Sequence, residues 1–414
     1  MLTPRAPRSL LSFTVLFLFA CTGIAVGQHE GGMMGGSTTR TPSKPPVSAG
    51  TKPKTTTTPK KRPTTAKPGT TTTGNSTTGN STTGTSTLPP VRPGTSANAD
   101  YYYQQGEALY NAKKYREALE PYQRAAQINP SMSSAHYRIG WIYNDLEEYQ
   151  SALEPLKRAV ALNPNYAAAH FEIGYANKKL ERYNDALAAF QQTVRAKPDY
   201  AAAHYEIGWI DNDLKNYDDA IKSLKLAMQY RANYAEAHNE MGYALRNLGR
   251  YSEAIEEYNE AIRIKPDLGL AHFGLGDVYY YNLKQYAEAA KSYKEGLRFR
   301  SDNVTALYNL AWCYNDLERY SEAIEELRKA VNLRPTYAEA YNEMGYAYHQ
   351  LNRYQEAVQA YQSALKNKTD YASAHYNLGM SYIAMKNKNG ALEQYRILQR
   401  IDSARATKLF NQIK

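Results

Sequence analysis

The sequence YAAAHYEIGWIDNDLKNYDDAIKSLKLAM, residues 200–228, contains two segments with helical periodicity and a short polar turn between them. In the first segment, apolar and small residues recur at helical intervals up to Leu214. In the second, they begin at Tyr217 and continue to Ala227. The stretch therefore predicts two consecutive helices joined by a tight turn.

This pattern recurs along the chain with a period of 34 residues and a single spacing of 35. A small residue marks the same place in each copy: Gly106, Gly140, Gly174, Gly208, Gly242, Gly276, Ala311, Gly345 and Gly379. In most copies a tyrosine follows nine residues later and an alanine twelve residues later, and several copies end in a proline. Such a fixed period indicates stacked units, none of which buries its apolar face alone.

The nine copies resemble tetratricopeptide (TPR) repeats, whose 34-residue pattern places small residues where the first helix (helix A) meets the second (helix B). The resemblance implies an all-α fold, an α-solenoid coiled into a right-handed superhelix. Its predicted repeats are 99–132, 133–166, 167–200, 201–234, 235–268, 269–303, 304–337, 338–371 and 372–405, and residues 406–414 are predicted to finish the last helix as a cap. Repeat six has one extra residue before Leu283, which predicts a bulge in its helix A or a late end to it.

Six of the eight histidines stand at the fourth position of helix A: His136, His170, His204, His238, His272 and His375. Equivalent positions in stacked repeats should lie roughly 8–10 Å apart. Ligands that share a zinc ion, with bonds of about 2.0–2.1 Å, cannot be so far apart. We therefore expect structural histidines, no metal site and no cofactor. With no nucleophile, base or phosphate-binding loop in a recognisable arrangement, we expect no catalytic residue either.

The TPR resemblance also implies a concave face, lined by the second, fifth, sixth, ninth, twelfth and thirteenth positions of each helix A. These positions predict an aromatic and asparagine stripe as the binding groove: Tyr137, Trp141, Asn144, Phe171, Tyr175, Tyr205, Trp209, Asn212, Tyr243, Phe273, Tyr308, Trp312, Asn315 and Tyr346. Rings supply contact area, and amides can bond a peptide backbone or sugar hydroxyls. The alternative is that the rings only pack against neighbouring helices.

The repeats alternate in character, which indicates duplication of a 68-residue double unit. Repeats two, four and seven have tryptophan at the ninth position and leucine in helix B, whereas repeats three, five and eight have tyrosine and a second bulky ring. Glutamates occupy the sixth position in four repeats, at Glu172, Glu206, Glu240 and Glu343. We expect these carboxylates to be ordinary solvated charges. The alternative is that they bias the groove toward basic partners.

Residues 1–27 have the three parts of an export signal. Arg5 and Arg8 precede an apolar segment, and Ala25, Val26 and Gly27 form a small-residue cleavage pattern. An uncleaved membrane anchor through residues 9–27 and a lipoprotein site at Cys21 are the alternatives. All three predict an exported protein in the periplasm, in the cell envelope or secreted.

Residues 28–98 form a linker rich in Thr, Pro, Ser, Gly and Lys, and no aromatic residue occurs between Glu30 and Asp100. Such a composition predicts disorder. The linker carries the positive charge of the chain, because residues 31–99 hold nine basic residues and no acid, while residues 100–414 are neutral overall. The basic balance therefore gives no reason to expect a nucleic-acid partner. The linker is either a spacer or a basic tether to an anionic envelope polymer.

These features predict a non-catalytic protein–protein interaction scaffold at the cell envelope, which binds extended peptide or protein segments in its concave groove. Two alternatives stay open at this point. One is a carbohydrate- or peptidoglycan-binding envelope protein, and the other is a structural component that associates with itself.

Overall fold

The computed structural model describes residues 96–414, with side chains from Asn98 onward. The predicted signal segment 1–27 and almost all of the predicted linker 28–98 lie outside the described residues. Within 96–414 all the regular structure is helical, which confirms the all-α prediction. In this range no helix is both long and apolar enough to cross a membrane.

The described chain forms nine consecutive helix pairs and one final helix. The pairs are α1 Ser96–Asn111 with α2 Tyr115–Ile128, α3 Ser133–Asp145 with α4 Tyr149–Leu162, α5 Ala167–Lys179 with α6 Tyr183–Ala196, α7 Ala201–Asp213 with α8 Tyr217–Tyr230, α9 Ala235–Asn247 with α10 Tyr251–Ile264, α11 Gly269–Asp277 with α12 Tyr286–Phe299, α13 Val304–Asp316 with α14 Tyr320–Leu333, α15 Ala338–Gln350 with α16 Tyr354–Asn367, and α17 Ala372–Ala384 with α18 Lys388–Ile401. The final helix is α19 Ser403–Ile413.

The turn inside each pair reverses the chain through one residue in the left-handed region. In repeat four this residue is Lys215, with φ +64°. Its N–H donates to the carbonyl of Asn212, and the N–H of Asn216 donates to the carbonyl of Asp211. The same place is left-handed in every repeat, with φ between 57° and 64° at eight non-glycine residues and φ +76° at Gly249. These bonds satisfy carbonyls that the end of helix A would otherwise leave unpaired.

The small residue of each helix A permits close approach of helix B. A Cβ atom built on Gly208 would lie 2.6 Å from Cγ of Leu224, and one on Gly174 would lie 2.7 Å from the ring of Phe190. The leucines and rings that alternate at this place in helix B are all buried: Leu156, Phe190, Leu224, Tyr258, Leu327 and Tyr361. Leucine and an aromatic ring therefore alternate as the helix B side chain that fills the space between helix A and helix B of each pair.

Successive pairs stack in chain order, because each helix B packs against helix A of the next repeat. Several consecutive A helices also contact each other directly, as α3 does with α5 and α7 with α9. We call the surface formed by the second, fifth, sixth, ninth, twelfth and thirteenth residues of the A helices the A-helix face. It contains every predicted groove residue.

Repeat six accommodates its extra residue as predicted, in a π-helical segment Val278–Asn282 that continues α11. The N–H of Leu283 donates to the carbonyl of Val278 at 3.1 Å. This bond joins residues five apart, as in a π-helix, instead of four apart, as in an α-helix.

The C-terminus differs from the prediction. Residues 406–413 belong to a separate helix, α19, instead of finishing the second helix of repeat nine. The Asp402 side chain caps α19 by accepting a hydrogen bond from the N–H of Arg405 at 2.9 Å, and this break ends α18. Leu409 of α19 is buried against Gly379 and covers the end of the array.

Candidate functional site

The repeated histidines are structural parts that join each helix A to the turn before it. In five of them Nε2–H donates to the backbone carbonyl six residues earlier: His136 to Pro130 at 3.1 Å, His170 to Pro164 at 2.9 Å, His204 to Pro198 at 2.8 Å, His272 to Pro266 at 3.0 Å and His375 to Thr369 at 2.9 Å. His238 instead places Nδ1 2.6 Å from the carboxylate of Glu257. Within residues 96–414 no group of three or more His, Cys, Asp or Glu side chains is arranged to hold a metal ion.

Five of the six rings at the ninth position of helix A contact, edge-on, the tyrosine that begins helix B of the preceding repeat. The pairs are Trp141 with Tyr115 at 5.4 Å, Tyr175 with Tyr149 at 6.1 Å, Trp209 with Tyr183 at 6.0 Å, Tyr243 with Tyr217 at 6.3 Å and Tyr346 with Tyr320 at 6.2 Å between ring centroids. The sixth ring, Trp312, contacts Tyr280 and Tyr308 instead. Edge-to-face contact is the favourable geometry for aromatic pairs. These rings therefore help to join one repeat to the next.

The rings at the fifth position pack on the last tyrosine of their own repeat. The pairs are Tyr137 with Tyr166 at 4.9 Å, Phe171 with Tyr200 at 5.1 Å, Tyr205 with Tyr234 at 4.9 Å and Tyr308 with Tyr337 at 5.0 Å. Phe273 of repeat six is also buried, at 3% exposure, but its ring packs over Gly296 of α12 because this repeat ends in Asn303 instead of a tyrosine. Packing of this kind is the alternative that the sequence left open for the stripe.

The predicted groove residues fall into two groups by exposure. Eight are buried: Tyr137, Trp141, Asn144, Phe171, Asn212, Phe273, Tyr308 and Asn315. Six are partly exposed: Tyr175, Tyr205, Trp209, Tyr243, Trp312 and Tyr346. The partly exposed rings are the ones that a ligand can reach directly, whereas the first group mainly supports them. Ligand contact by either group stays a prediction.

The three asparagines of the stripe bridge repeats, because each Nδ2 donates to the glutamate 28 residues later. Asn144 bonds the Glu172 backbone carbonyl at 3.0 Å and its carboxylate at 2.9 Å. Asn212 bonds the corresponding atoms of Glu240 at 2.9 and 3.1 Å, and Asn315 reaches the Glu343 carboxylate at 3.5 Å. In all three asparagines the buried Oδ1 has no hydrogen-bond partner in the chain. Such an unpaired acceptor typically costs about 1–3 kcal/mol.

The expectation of solvated glutamates at the sixth position was wrong, because the structure draws them into the contacts between repeats. Glu172 is only 1% exposed, and the other three are half-buried. Glu206 pairs with the ammonium of Lys178 at 2.5 Å. The same ammonium lies 3.9 Å from the ring centroid of Trp209. A lysine of one repeat is thus held between a carboxylate and an indole of the next.

Glu343 is in a different electrostatic situation from Glu206. It accepts hydrogen bonds from the side-chain amides of Asn342 at 3.1 Å and Asn315 at 3.5 Å, and among the described residues no Lys or Arg forms an ion pair with it. Burial raises the pKa of Glu343 to about 7, the two amides oppose the shift, and the nearby charge of Asp316 adds to it. This carboxyl therefore titrates near neutral pH.

A polar network surrounds the π-helical segment of repeat six. The Asp277 carboxylate accepts from Arg246 at 2.6 Å and from the hydroxyl of Tyr293 at 2.6 Å. Burial raises the pKa of Asp277, although Arg246 opposes the rise. Burial likewise raises the pKa of Cys313, so this thiol stays protonated and is a poor nucleophile. The Tyr293 hydroxyl also accepts from the side-chain amide of Asn309 at 3.4 Å, so the network joins repeats five, six and seven.

The A-helix face is acidic. Its positions hold twelve carboxylates, at Asp100, Glu107, Asp145, Glu172, Glu206, Asp213, Glu236, Glu240, Asp277, Asp316, Glu339 and Glu343. They hold four cationic side chains, at Arg138, Lys178, Lys179 and Arg246. Because residues 100–414 are neutral overall, the remaining surface of the repeats carries an excess of basic residues.

The sequence reasoning missed the pairings, although it singled out most of the residues involved. The signal for the asparagine–glutamate bridges was the constant separation of 28 residues, which joins the twelfth position of one repeat to the sixth position of the next. The same separation joins Lys178 to Glu206. The tyrosines that begin helix B were noted only as markers of the period, and their contacts with the rings of the next repeat were not predicted.

Family models place repeats of one kind along the array. A model described as TPR repeat matches residues 242–282, 313–352 and 345–386, and models described as tetratricopeptide repeat match residues 103–167 and 171–233, 270–303 and 373–412. Together these matches cover more than half of the chain. Among curated proteins none matches the chain.

Several solved structures are similar to part of this chain. YrrB, described as a TPR protein with an unusual peptide-binding site, is 23% identical, with 46% of this chain and 99% of YrrB covered and a TM-score of 0.43. Pseudomonas aeruginosa PilF is 17% identical, with 51% and 97% covered and a TM-score of 0.44. The C-terminal part of a TPR repeat-containing protein from Cytophaga hutchinsonii is 15% identical, with 58% and 99% covered and a TM-score of 0.48.

The helix pairs, their 34-residue period and the family matches along the array agree with one another. The chain belongs to the tetratricopeptide repeat family, whose members generally serve as protein-binding scaffolds and are typically not catalytic.

Proposed function

We propose that this protein is a non-catalytic scaffold of the cell envelope that binds extended peptide or protein segments carrying basic side chains along its A-helix face. The observation that carries the proposal is the charge of that face, where twelve carboxylates stand against four cationic side chains although the array as a whole is neutral. Complementary charge of this kind attracts and orients a partner of the opposite sign.

The partly exposed rings support a peptide as the ligand. Trp209, Tyr243 and Tyr346 are partly exposed, and each follows a glutamate of its own helix A by three residues, on the same helix face. One extended segment can therefore contact both a ring and a carboxylate in these three repeats. Binding of a sugar by stacking needs an open ring face. Trp141 does not offer one, because it is 8% exposed and contacts the rings of Tyr110 and Tyr115.

The location at the envelope rests on residues 1–27, which lie outside the described residues. Their basic head, apolar segment and small-residue pattern are typical of an export signal. The test is the mass of the mature protein recovered from its host. A chain that begins at Gln28 supports export with cleavage, whereas an intact chain that remains in the cytosolic fraction would overturn the proposed location.

The test of binding is selection of peptides from a random library against the full chain, followed by affinity measurement. We expect the selected peptides to be enriched in Lys and Arg. The triple variant Asp145→Asn, Asp213→Asn, Asp316→Asn on the A-helix face should weaken their binding about tenfold, because it removes three attractive charges.

The matched control removes three exposed charges from the B helices, in the variant Asp185→Asn, Asp218→Asn, Glu256→Gln. It has the same net charge as the A-helix-face variant and should bind like the wild type. If the two triple variants bind the selected peptides equally, the A-helix face is not the binding surface.

A further inference from the structure

The chain itself shows how a lysine can occupy the junction between two repeats. Lys178 is the twelfth residue of repeat three, and its ammonium lies 2.5 Å from the carboxylate of Glu206 and 3.9 Å from the ring centroid of Trp209. Glu206 and Trp209 are the sixth and ninth residues of repeat four. An ammonium held by a carboxylate and an aromatic face gains both charge attraction and cation–π attraction.

The junction between repeats seven and eight has the same layout without the lysine. Its twelfth position is Asn315, and its sixth and ninth positions are Glu343 and Tyr346. The Asn315 side chain is 7% exposed, and its Nδ2 lies 3.5 Å from Glu343 while its Oδ1 has no partner. The junction thus holds a half-buried carboxyl that forms no ion pair with a Lys or Arg of the described chain, and a buried acceptor without a donor.

We propose that Asn315, Glu343 and Tyr346 form a binding site for the ammonium group of a lysine side chain of the bound partner. An ammonium has three donors and no acceptor. It can therefore bond the Glu343 carboxylate and the unpaired Oδ1 of Asn315 together while it lies against the ring of Tyr346. The partner supplies here the cation that Lys178 supplies within the chain. This inference rests on the proposed function and specifies one site within that face.

The groups that face Glu343 leave its charge uncompensated in the free protein. Asp316 on α13 and Glu339 on α15 are both acidic, and Lys368 lies 3.6 Å from Glu339. His349 contacts the hydroxyl of Ser381, and burial lowers its pKa, so it adds no charge at neutral pH. The surrounding hydroxyls stay neutral because burial raises the pKa of each tyrosine: Tyr308, Tyr337, Tyr346, Tyr361 and Tyr371.

Lysine binding at this site must be coupled to proton release. Free Glu343 has a pKa of about 7 because burial disfavours its charge, so about half of the molecules hold the proton at pH 7. An ammonium binds the ionised form, and a lysine side chain stays charged up to about pH 10. Affinity should therefore rise about tenfold from pH 6 to pH 8, with a proton released on binding.

The experiment measures binding of fluorescein-labelled octalysine to the full chain by anisotropy at pH 6 and pH 8. The control probe is the same peptide with Nε-acetylated lysines, which lack the charge. Glu343→Gln removes the carboxylate of the site. Asn315→Lys places a lysine of the chain itself beside Glu343, as Lys178 lies beside Glu206, so that the site is already occupied. Glu325→Gln, an exposed glutamate of α14, is the matched control for loss of one charge.

We expect Glu343→Gln and Asn315→Lys each to weaken octalysine binding at pH 8 about tenfold and to flatten its pH dependence. Glu325→Gln and the wild type should bind octalysine with the same affinity and the same pH dependence. The acetylated peptide should bind neither the wild type nor any variant. The reverse substitution, Lys178→Asn, should strengthen binding because it opens a second site. Circular dichroism checks that each variant is folded. If Asn315→Lys does not fold, the octalysine affinity of Glu343→Gln is sufficient to test the site.

Wild-type affinity and pH dependence in Glu343→Gln would overturn the site. If the A-helix-face triple variant then still loses octalysine, the acidic face binds basic peptides elsewhere and the proposed function stands. If that triple variant also binds octalysine like the wild type, both the site and the proposed function fail.

Discussion

Replacement of Glu343 by glutamine should stabilise the protein at pH 8 more than at pH 5. The ordinary pKa of this carboxyl is 4.5, and burial raises it to about 7 in the folded chain. Below pH 4.5 the folded and unfolded states both hold the proton. Between pH 4.5 and 7 the unfolded state loses it while the folded state keeps it, so the stability of the wild type falls as pH rises.

The size of the effect follows from the shift in pKa. Each pKa unit corresponds to about 1.4 kcal/mol, so the full shift would cost the folded state about 3 kcal/mol above pH 7. Glu343 is half-buried, and screening by water reduces this figure. A glutamine side chain does not titrate and can still accept from Asn342. We therefore expect the stability gain of Glu343→Gln to be about 1–2 kcal/mol larger at pH 8 than at pH 5.

Urea denaturation at the two pH values measures this difference. Because repeat arrays unfold in segments, the curves should be fitted with a nearest-neighbour model instead of a two-state transition. Glu325→Gln serves as the control and should show no pH-dependent gain. A gain from Glu343→Gln that is equal at both pH values, or larger at pH 5, would show that the carboxyl pays no desolvation cost in the folded chain.

Four further single substitutions and one double variant test the helix packing, the buried ion pair and a turn, each by urea denaturation. Gly174→Ala and Gly208→Ala should each destabilise by about 1–3 kcal/mol, because the new Cβ would lie 2.7 Å from the Phe190 ring or 2.6 Å from Cγ of the buried Leu224. Arg246→Met should cost about 3–5 kcal/mol by leaving the Asp277 carboxylate buried without its cation, and the double variant with Asp277→Asn should recover most of that loss. Gly249→Ala should cost about 1 kcal/mol, since alanine is strained at φ +76°.

The fold could be predicted from the sequence because its determinants repeat. Nine copies of one pattern gave nine independent indications of the same two helices, and the starts of the helices in the structure follow the 34-residue period. The bulge in repeat six was visible as a single extra residue. The last helix was not, because Asp402 both ends α18 and caps α19, and a single acidic residue at that place has no counterpart in the other repeats.

The contacts on the A-helix face were harder to predict than the helices. The sequence shows that Trp141 and Tyr346 occupy the same position, but not that one is buried and the other is partly exposed. Exposure depends on what the neighbouring repeats place beside each ring. The burial of Glu172 could not be predicted either, because it depends on a neighbouring repeat: its partner Asn144 lies 28 residues earlier in the chain.

The 68-residue alternation sets the charge of the junctions as well as their packing. The twelfth residue of each tryptophan repeat is an asparagine. In repeats three and five it is Lys178 or Arg246, each bonded to a carboxylate of the next repeat. A cationic donor adds an ion pair between the two repeats, whereas an amide donor adds a hydrogen bond without a charge. Duplication of a double unit thus alternates neutral with cationic donors from repeat two to repeat five. The alternation does not extend to repeat eight, where the twelfth residue is His349, so these ion pairs between repeats are confined to the first copies of the double unit.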